Sequence, residues 1–301
     1  MDRKKFLQLG GMGAIGASFL PSSLWPGFSG IISSPEPANI AVQLYSVRKE
    51  MEKDMKGTLK RIADIGFETV ETAFWPKDVS IKQAGGYLRD AGLSVCSAHI
   101  ELPVDDVQKR TMLETAKELD CKKMIWHGWP EDIRYGSLAG TKQLVGIYNE
   151  ANRFAKANGL QFGIHNHWWE FRNKAGKRFV YEVLLETLDR DIFFEIDTYW
   201  VKVAGQDPAA IIKKFGKRAP LLHIKDGPAV WNDSLADDNP NPMVAIGKGT
   251  QNFPAIVKAA NGNTEWMIVE MDKTTTDVFE ALQESYNYLV KSGMAKGKKP
   301  A

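Results

Sequence analysis

The chain has 301 residues, enough to bury a substantial core either as two modest domains or as one large α/β barrel. Its 44% hydrophobic and 25% charged residues suit a globular protein in water, and no apolar run reaches the roughly 18 residues of a membrane span, so stable membrane insertion is not expected. The 39 basic and 37 acidic side chains leave a formal charge of +2, which provides no electrostatic footprint for a phosphate polymer and argues against a nucleic-acid partner.

Residues 1–37 differ from the rest of the chain. Arg3, Lys4 and Lys5 precede Phe6-Leu7, a mildly apolar, glycine-rich stretch runs to Leu20, and Pro/Ser-rich sequence continues to Pro37. That order predicts an export signal followed by a disordered linker, and hence a periplasmic protein. Arg3-Lys4-Lys5-Phe6-Leu7 resembles a twin-arginine signal with Lys4 in place of the second arginine. A basic disordered tail on a cytoplasmic protein is the alternative.

From residue 38 to residue 292, short β-branched runs alternate with amphipathic windows of helical period. Strands are expected at residues 40–45, 68–72, 94–99, 123–127, 161–167, 192–197, 221–225 and 266–270. Between them lie apolar helical stripes such as Met55, Leu59 and Ile62, or Ile147, Tyr148, Ala151, Phe154 and Ala155, or Val278, Leu282, Ser285 and Leu289. Gly66, Gly92 and Gly159 each stand between a helical window and a strand, where a left-handed residue ends the helix. Eight such units over roughly 250 residues predict one (β/α)8 TIM barrel. Cys96 and Cys121 fall on different strands with opposite facing, so no disulfide is expected between them.

Residues 227–250 form the longest connection and sit where a lid would. Within it, Gly247-Lys248-Gly249 before a helix reads either as a phosphate cradle or as a plain turn. Residues 293–301 read as a basic C-terminal tail.

Active sites of such barrels lie at the carboxyl ends of the strands. The five histidines all fall there: His99 on the third strand, His127 on the fourth, His165 and His167 on the fifth, His223 on the seventh. Glu71, Asp197 and Glu270 end the second, sixth and eighth. Period-2 counting turns Gly163, His165 and His167 to one face of the fifth strand, and sets Lys225 on the same side as His223.

A single strand histidine is most often a hydrogen-bonded core residue, but acids ending buried strands are costly without partners. Their convergence points to one divalent ion held by Asp197, His223 and Glu270, with Mn, Zn, Co or Fe suiting mixed imidazole and carboxylate donors. Tyr45, Phe74, Trp75, Trp126, Trp129, Trp168, Trp169, Tyr199 and Trp200 crowd the same rim, where some would pack the core and others would stack on a sugar.

The stretches Gln43-Leu44-Tyr45-Ser46-Val47-Arg48, His165-Asn166-His167-Trp168-Trp169-Glu170-Phe171, Glu195-Ile196-Asp197-Thr198-Tyr199-Trp200, His223-Ile224-Lys225-Asp226 and Val269-Glu270-Met271-Asp272 resemble the xylose-isomerase-like sugar phosphate isomerase/epimerase family. The resemblance implies a metal held by His165, Asp197, His223 and Glu270. His165 stands where ketose epimerases of this fold carry a glutamate that doubles as one of two opposed bases. Glu170 resembles a substrate-contacting acid.

The implied activity is a metal-dependent sugar isomerase or epimerase that abstracts a proton next to a carbonyl and passes through an enediolate. Glu270, His165 and His167 are its candidate bases and Lys225 its candidate acid; Glu71, His99, His127, Glu170 and Trp200 are the substrate-binding candidates. With one base beside the metal, the same enolate could instead expel a β-substituent, which makes a lyase or dehydratase acting on a keto-sugar or keto-glycoside the second reading. An exported carbohydrate-binding protein without catalysis is a third reading, from a different class. The expected partner is a small sugar or keto-sugar, and a homo-oligomer is compatible with all three.

Overall fold

The computed structural model describes residues 36–233, 240–260 and 262–298. Eight parallel strands close into a barrel: β1 (Asn39–Gln43), β2 (Thr69–Thr72), β3 (Ser94–Ile100), β4 (Lys123–Trp126), β5 (Gln161–His165), β6 (Phe193–Asp197), β7 (Leu221–Ile224) and β8 (Trp266–Val269). Each pairs with its sequence neighbour, and β1 pairs with both β2 and β8, so no strand edge remains open. The principal helices around it are α1 (Arg48–Ile65), α2 (Ile81–Asp90), α3 (Asp106–Glu118), α4 (Leu138–Ala157), α5 (Val180–Thr187), α6 (Pro208–Phe215), α7 (Phe253–Ala260) and α8 (Val278–Lys291). The fold is the predicted single (β/α)8 barrel.

Strand alternation divides the apolar residues into two cores. Val42, Val70, Ala98, Met124, Phe162, Ile164, Ile196, Leu222 and Val269 face outward and meet helix residues such as Leu59, Ile62, Leu282 and Leu289. Ala41, Ile125, Phe193, Leu221 and Ile268 face inward and form a dry floor inside the barrel. Gly163 has no side chain because a Cβ there would lie 2.3 Å from the Phe193 ring, which fills that part of the floor. Above the floor the inward positions turn polar, and this change of layer creates the site.

Two strand ends are corrected. The first strand ends at Gln43 and the fifth at His165, each two residues early. After His165 the Asn166 side chain accepts from Asp197 N at 3.0 Å, and the His167 amide turns to the Glu170 carboxylate at 2.9 Å, so both groups leave the ladder. Beyond α8, Ala295 is buried, and Lys296 exchanges backbone bonds with Ala38 and Ile40 beside β1. Gly247-Lys248-Gly249 is not a vacant phosphate cradle, because Asp226 Oδ2 already accepts from the amides of Gly247 and Gly249, each at 2.9 Å. The expected lid lies partly outside the described residues, and the expected export signal and linker lie outside them except for Glu36 and Pro37. Among the described residues no helix is long and apolar enough to cross a membrane, and Cys96 and Cys121 are not joined.

Candidate active site

Directly above the floor sits a sealed polar layer. Register pairs Gln43 with Glu71, and His165 with Glu195, so these inward side chains lie side by side. Glu71 Oε1 accepts from Gln43 at 2.7 Å and lies 2.6 Å from His223 Nε2, while Glu71 Oε2 accepts from Ser97 at 2.5 Å. Glu195 Oε2 gathers three imidazoles, with His99 Nε2 at 2.7 Å, His165 Nδ1 at 3.1 Å and His223 Nε2 at 3.2 Å. Glu71, Glu195 and His223 have no exposure to solvent.

Two carboxylates without lysine or arginine contacts are tolerable there only with positive charge beside them. Although burial favours its neutral form, His99 is raised to about 9 by Glu71 and Glu195. His223 is likewise raised despite burial, by Glu195, Glu270 and Glu71.

One step higher, Asp197 pairs in register with His223, and Lys225 and Glu270 follow just beyond the ends of β7 and β8. His223 Nδ1 lies 2.7 Å from Glu270 Oε2 and 4.0 Å from Asp197 Oδ2. These three atoms are buried and lack an aligned hydrogen bond. Among the described residues, two groups bring ligating atoms within 4.8 Å of one another: Asp197, His223 and Glu270, and His99, His165, Glu195 and His223. His223 belongs to both, one nitrogen to each. The chemistry of the first group fits a divalent cation, with two carboxylates, an imidazole and three buried atoms that lack an aligned hydrogen bond. His165 falls mainly in the second group, and its Nε2 stands 3.9 Å from Asp197 Oδ2.

A cavity of about 150 Å³ opens above, lined by Tyr45, Phe74, His99, His127, Trp129, His165, His167, Trp200, Lys225, Glu270 and Asp272. Beside it, sharing Tyr45 and Asp272, runs a cleft of about 1030 Å³. Burial, with further help from Lys225, keeps His167 well below the ordinary histidine range, and burial does the same to His165 and takes His127 to about 3. Lys225 is pushed the other way: burial opposes its charge, but Asp197, Asp272 and Glu270 hold it well above the usual lysine range. The cavity thus combines the neutral imidazoles of His127, His165 and His167 with the charged ring of His99 and one buried ammonium, an arrangement suited to acid/base chemistry.

The predicted substrate-binding residues divide. His99, His127 and Trp200 line the cavity, whereas Glu71 lies beneath it. Glu170 does not line this cavity. Its carboxylate accepts the His167 amide and is raised to about 8 by burial. Of the rim aromatics, Tyr45, Phe74, Trp129 and Trp200 reach the cavity, while Trp169 and Tyr199 are packed in the core. The sequence reading missed Gln43, Ser97, Glu195 and Asp272 as site residues. Period-2 counting back from Asp197 would have found Glu195.

No curated protein matches the chain. Solved structures do. A sugar phosphate isomerase/epimerase from Parabacteroides distasonis ATCC 8503 is 25% identical, with a TM-score of 0.71 over 86% of this chain and 100% of its own. A second protein so described from that organism is 26% identical, with a TM-score of 0.68 over 90% and 100%. A probable 3-DHS dehydratase from Bacillus anthracis shares the barrel at 13% identity, with a TM-score of 0.66 over 84% and 98%. The Xylose isomerase-like TIM barrel profile matches residues 59–291, and the chain belongs to that family.

Proposed function

We propose that the protein is a divalent-metal-dependent sugar isomerase or epimerase working by proton abstraction next to a carbonyl. The observation that carries this reading is the trio of buried, ion-paired atoms that lack an aligned hydrogen bond, Asp197 Oδ2, His223 Nδ1 and Glu270 Oε2, at the base of a cavity with an aromatic rim. These residues would hold the ion, with His165, whose Nε2 stands 3.9 Å from Asp197 Oδ2, as a further donor. When bound, the ion supplies Lewis acidity to a carbonyl and a neighbouring hydroxyl, which acidifies the C–H between them.

The protein's own groups do the rest. His167 is the best-suited base: its ring is uncharged, it lines the cavity, and its Nδ1 is buried without a hydrogen bond. Lys225 is held protonated and donates a proton to oxygen or carbon. Phe74 and Trp129 are about half exposed at the mouth and offer ring faces to the sugar's C–H groups. The adjoining cleft leaves room for a substituent on that sugar.

A specific observation favours elimination as the second reading. A neutral base beside a protonated acid, rather than two matched carboxylates, is an arrangement that removes a proton and protonates a leaving group. The Bacillus anthracis neighbour shares only the barrel, so it does not decide the matter.

Incubating candidate ketoses and 3-keto-glycosides with the metal-loaded protein in D₂O, followed by NMR, tests both readings. C–H exchange is expected in wild type and should be lost in His167→Ala and Glu270→Gln. Full exchange in both variants sinks the assigned roles, while no exchange and no metal binding in wild type leaves a carbohydrate-binding protein. Rearranged sugar identifies isomerisation, and a released β-substituent identifies elimination. The N-terminal segment is read as an export signal; a periplasmic protein beginning near residue 30 is the expected result, and full-length protein in the cytosol contradicts it.

A further inference from the structure

Lys225 makes two kinds of contact. Its Nζ donates aligned hydrogen bonds to Asp272 Oδ1 at 2.8 Å and Oδ2 at 2.9 Å. It also lies 2.9 Å from Asp197 Oδ2 and 2.8 Å from Glu270 Oε2, but neither of those oxygens receives an aligned hydrogen bond. They are the same two oxygens that the proposed metal site offers to a cation. The side chain is almost fully buried, and three carboxylates surround a single ammonium.

A divalent ion and an ammonium compete for the same pair of carboxylate oxygens, since each draws on the space and the charge that the other would use. Without a divalent ion, the ammonium and the His223 ring are the positive groups that touch Asp197 and Glu270 among the described residues. With one, those oxygens are taken, and Asp272 remains as the partner whose bonds to Nζ are already well aligned. The Trp200 ring, whose centroid is 5.8 Å from Nζ, offers the ammonium an aromatic face on the cavity side.

We propose that Lys225 is the resident counter-ion of the metal-free site, that a divalent metal displaces its ammonium from Asp197 and Glu270, and that Asp272 is the positioning residue that retains it at the cavity. The inference rests on the metal reading above and goes further by coupling metal loading to the placement of the acid. Lys225 then has two successive tasks. It neutralises a buried acidic cluster while the site is empty of metal, and it faces substrate once the metal has arrived. Loss of metal would withdraw the acid as well as the Lewis acid.

The experiment compares dissociation constants for Mn²⁺, measured by chelator competition on the full chain, in wild type and Lys225→Met, with two crystal structures of wild type, one chelated and one Mn²⁺-loaded. Removing the competitor should tighten Mn²⁺ binding at least tenfold. Lys225→Gln, which keeps an amide donor against the carboxylates, takes its place if the methionine variant does not fold. In the loaded crystal, Nζ should stand beyond contact with Asp197 Oδ2 and Glu270 Oε2 and still bond Asp272. Equal or weaker Mn²⁺ binding in the variants overturns the exchange, and so does a loaded structure in which Nζ keeps all three carboxylates. If no protein binds Mn²⁺, the metal reading itself falls, and the exchange with it.

Discussion

At the residue scale, the sealed layer beneath the cavity explains how His223 can present Nδ1 upward. Its Nε2 is occupied by Glu71 and Glu195, which fixes the ring's orientation in the manner of an outer carboxylate behind a metal-bound histidine. Glu71→Gln should therefore weaken metal affinity by about 10–100-fold without touching the metal. Equilibrium dialysis would measure it, and unchanged affinity would deny Glu71 that role. Glu170 carries a second prediction. Burial raises its pKa to about 8 from the ordinary 4.5, so between those values the native state keeps a proton that the unfolded chain has released. Stability from this group is complete below the lower value and falls as pH rises toward the higher, by at most about 1.4 kcal/mol per pH unit. Glu170→Gln cannot titrate, so its melting temperature should fall less than that of wild type between pH 5.5 and 7.5; parallel curves would refute the assignment. What could be read at this scale was parity. Counting by two turned His165, His223 and Lys225 inward, but it could not say that Glu71 meets His223, because 152 residues separate them and only barrel closure joins them.

At the element scale, β5 shows how floor and site depend on each other. Gly163 makes room for Phe193, and two residues later His165 stands beside Glu195, so shifting the strand to relieve the floor would disturb the polar layer. Gly163→Ala should cost about 1–3 kcal/mol through overpacking, and Phe193→Leu should recover part of that loss. Urea titration of the single and double variants would check it, and additive losses would show that the two residues do not compete for one space. All eight strands were legible because period 2 and period 3.6 alternate cleanly along the chain. The end of β5 was not, because it is set by side chains, with Asn166 and Glu170 capturing backbone amides that propensity assigns to the ladder.

At the scale of the whole molecule, the proposed metal ligands come from the ends of β6, β7 and β8, three consecutive staves of the barrel. An ion bound there ties those staves together in the native state alone, so it should stabilise the fold by about 2.7 kcal/mol when present at 100 times its dissociation constant. Calorimetry of chelated protein with added Mn²⁺ or Zn²⁺ should show a rise in melting temperature of a few degrees, scaling with metal concentration; no rise with either ion would count against the site. The barrel itself was legible from repetition, whereas the cavity was less so. Which aromatics stack in the core and which reach the mouth depends on loops whose course no periodicity records, and Trp169 and Trp200 look alike in sequence yet only Trp200 lines the cavity.

The long connection after β7 has a base with its own seal. Asp226 Oδ1 accepts from Gly227 and Gln251, and Oδ2 from Gly247 and Gly249, so both ends of the excursion close on one side chain. A carboxylate held by the protein occupies the kind of amide cradle that elsewhere grips a phosphate. The residue next to Lys225 therefore works as a grommet: the chain beyond it can lengthen, shorten or change composition while the seam stays shut. Pro240, on that excursion, lines the cleft beside the cavity, so under the proposed function the surface that meets a sugar's substituent can be redrawn without moving the acid.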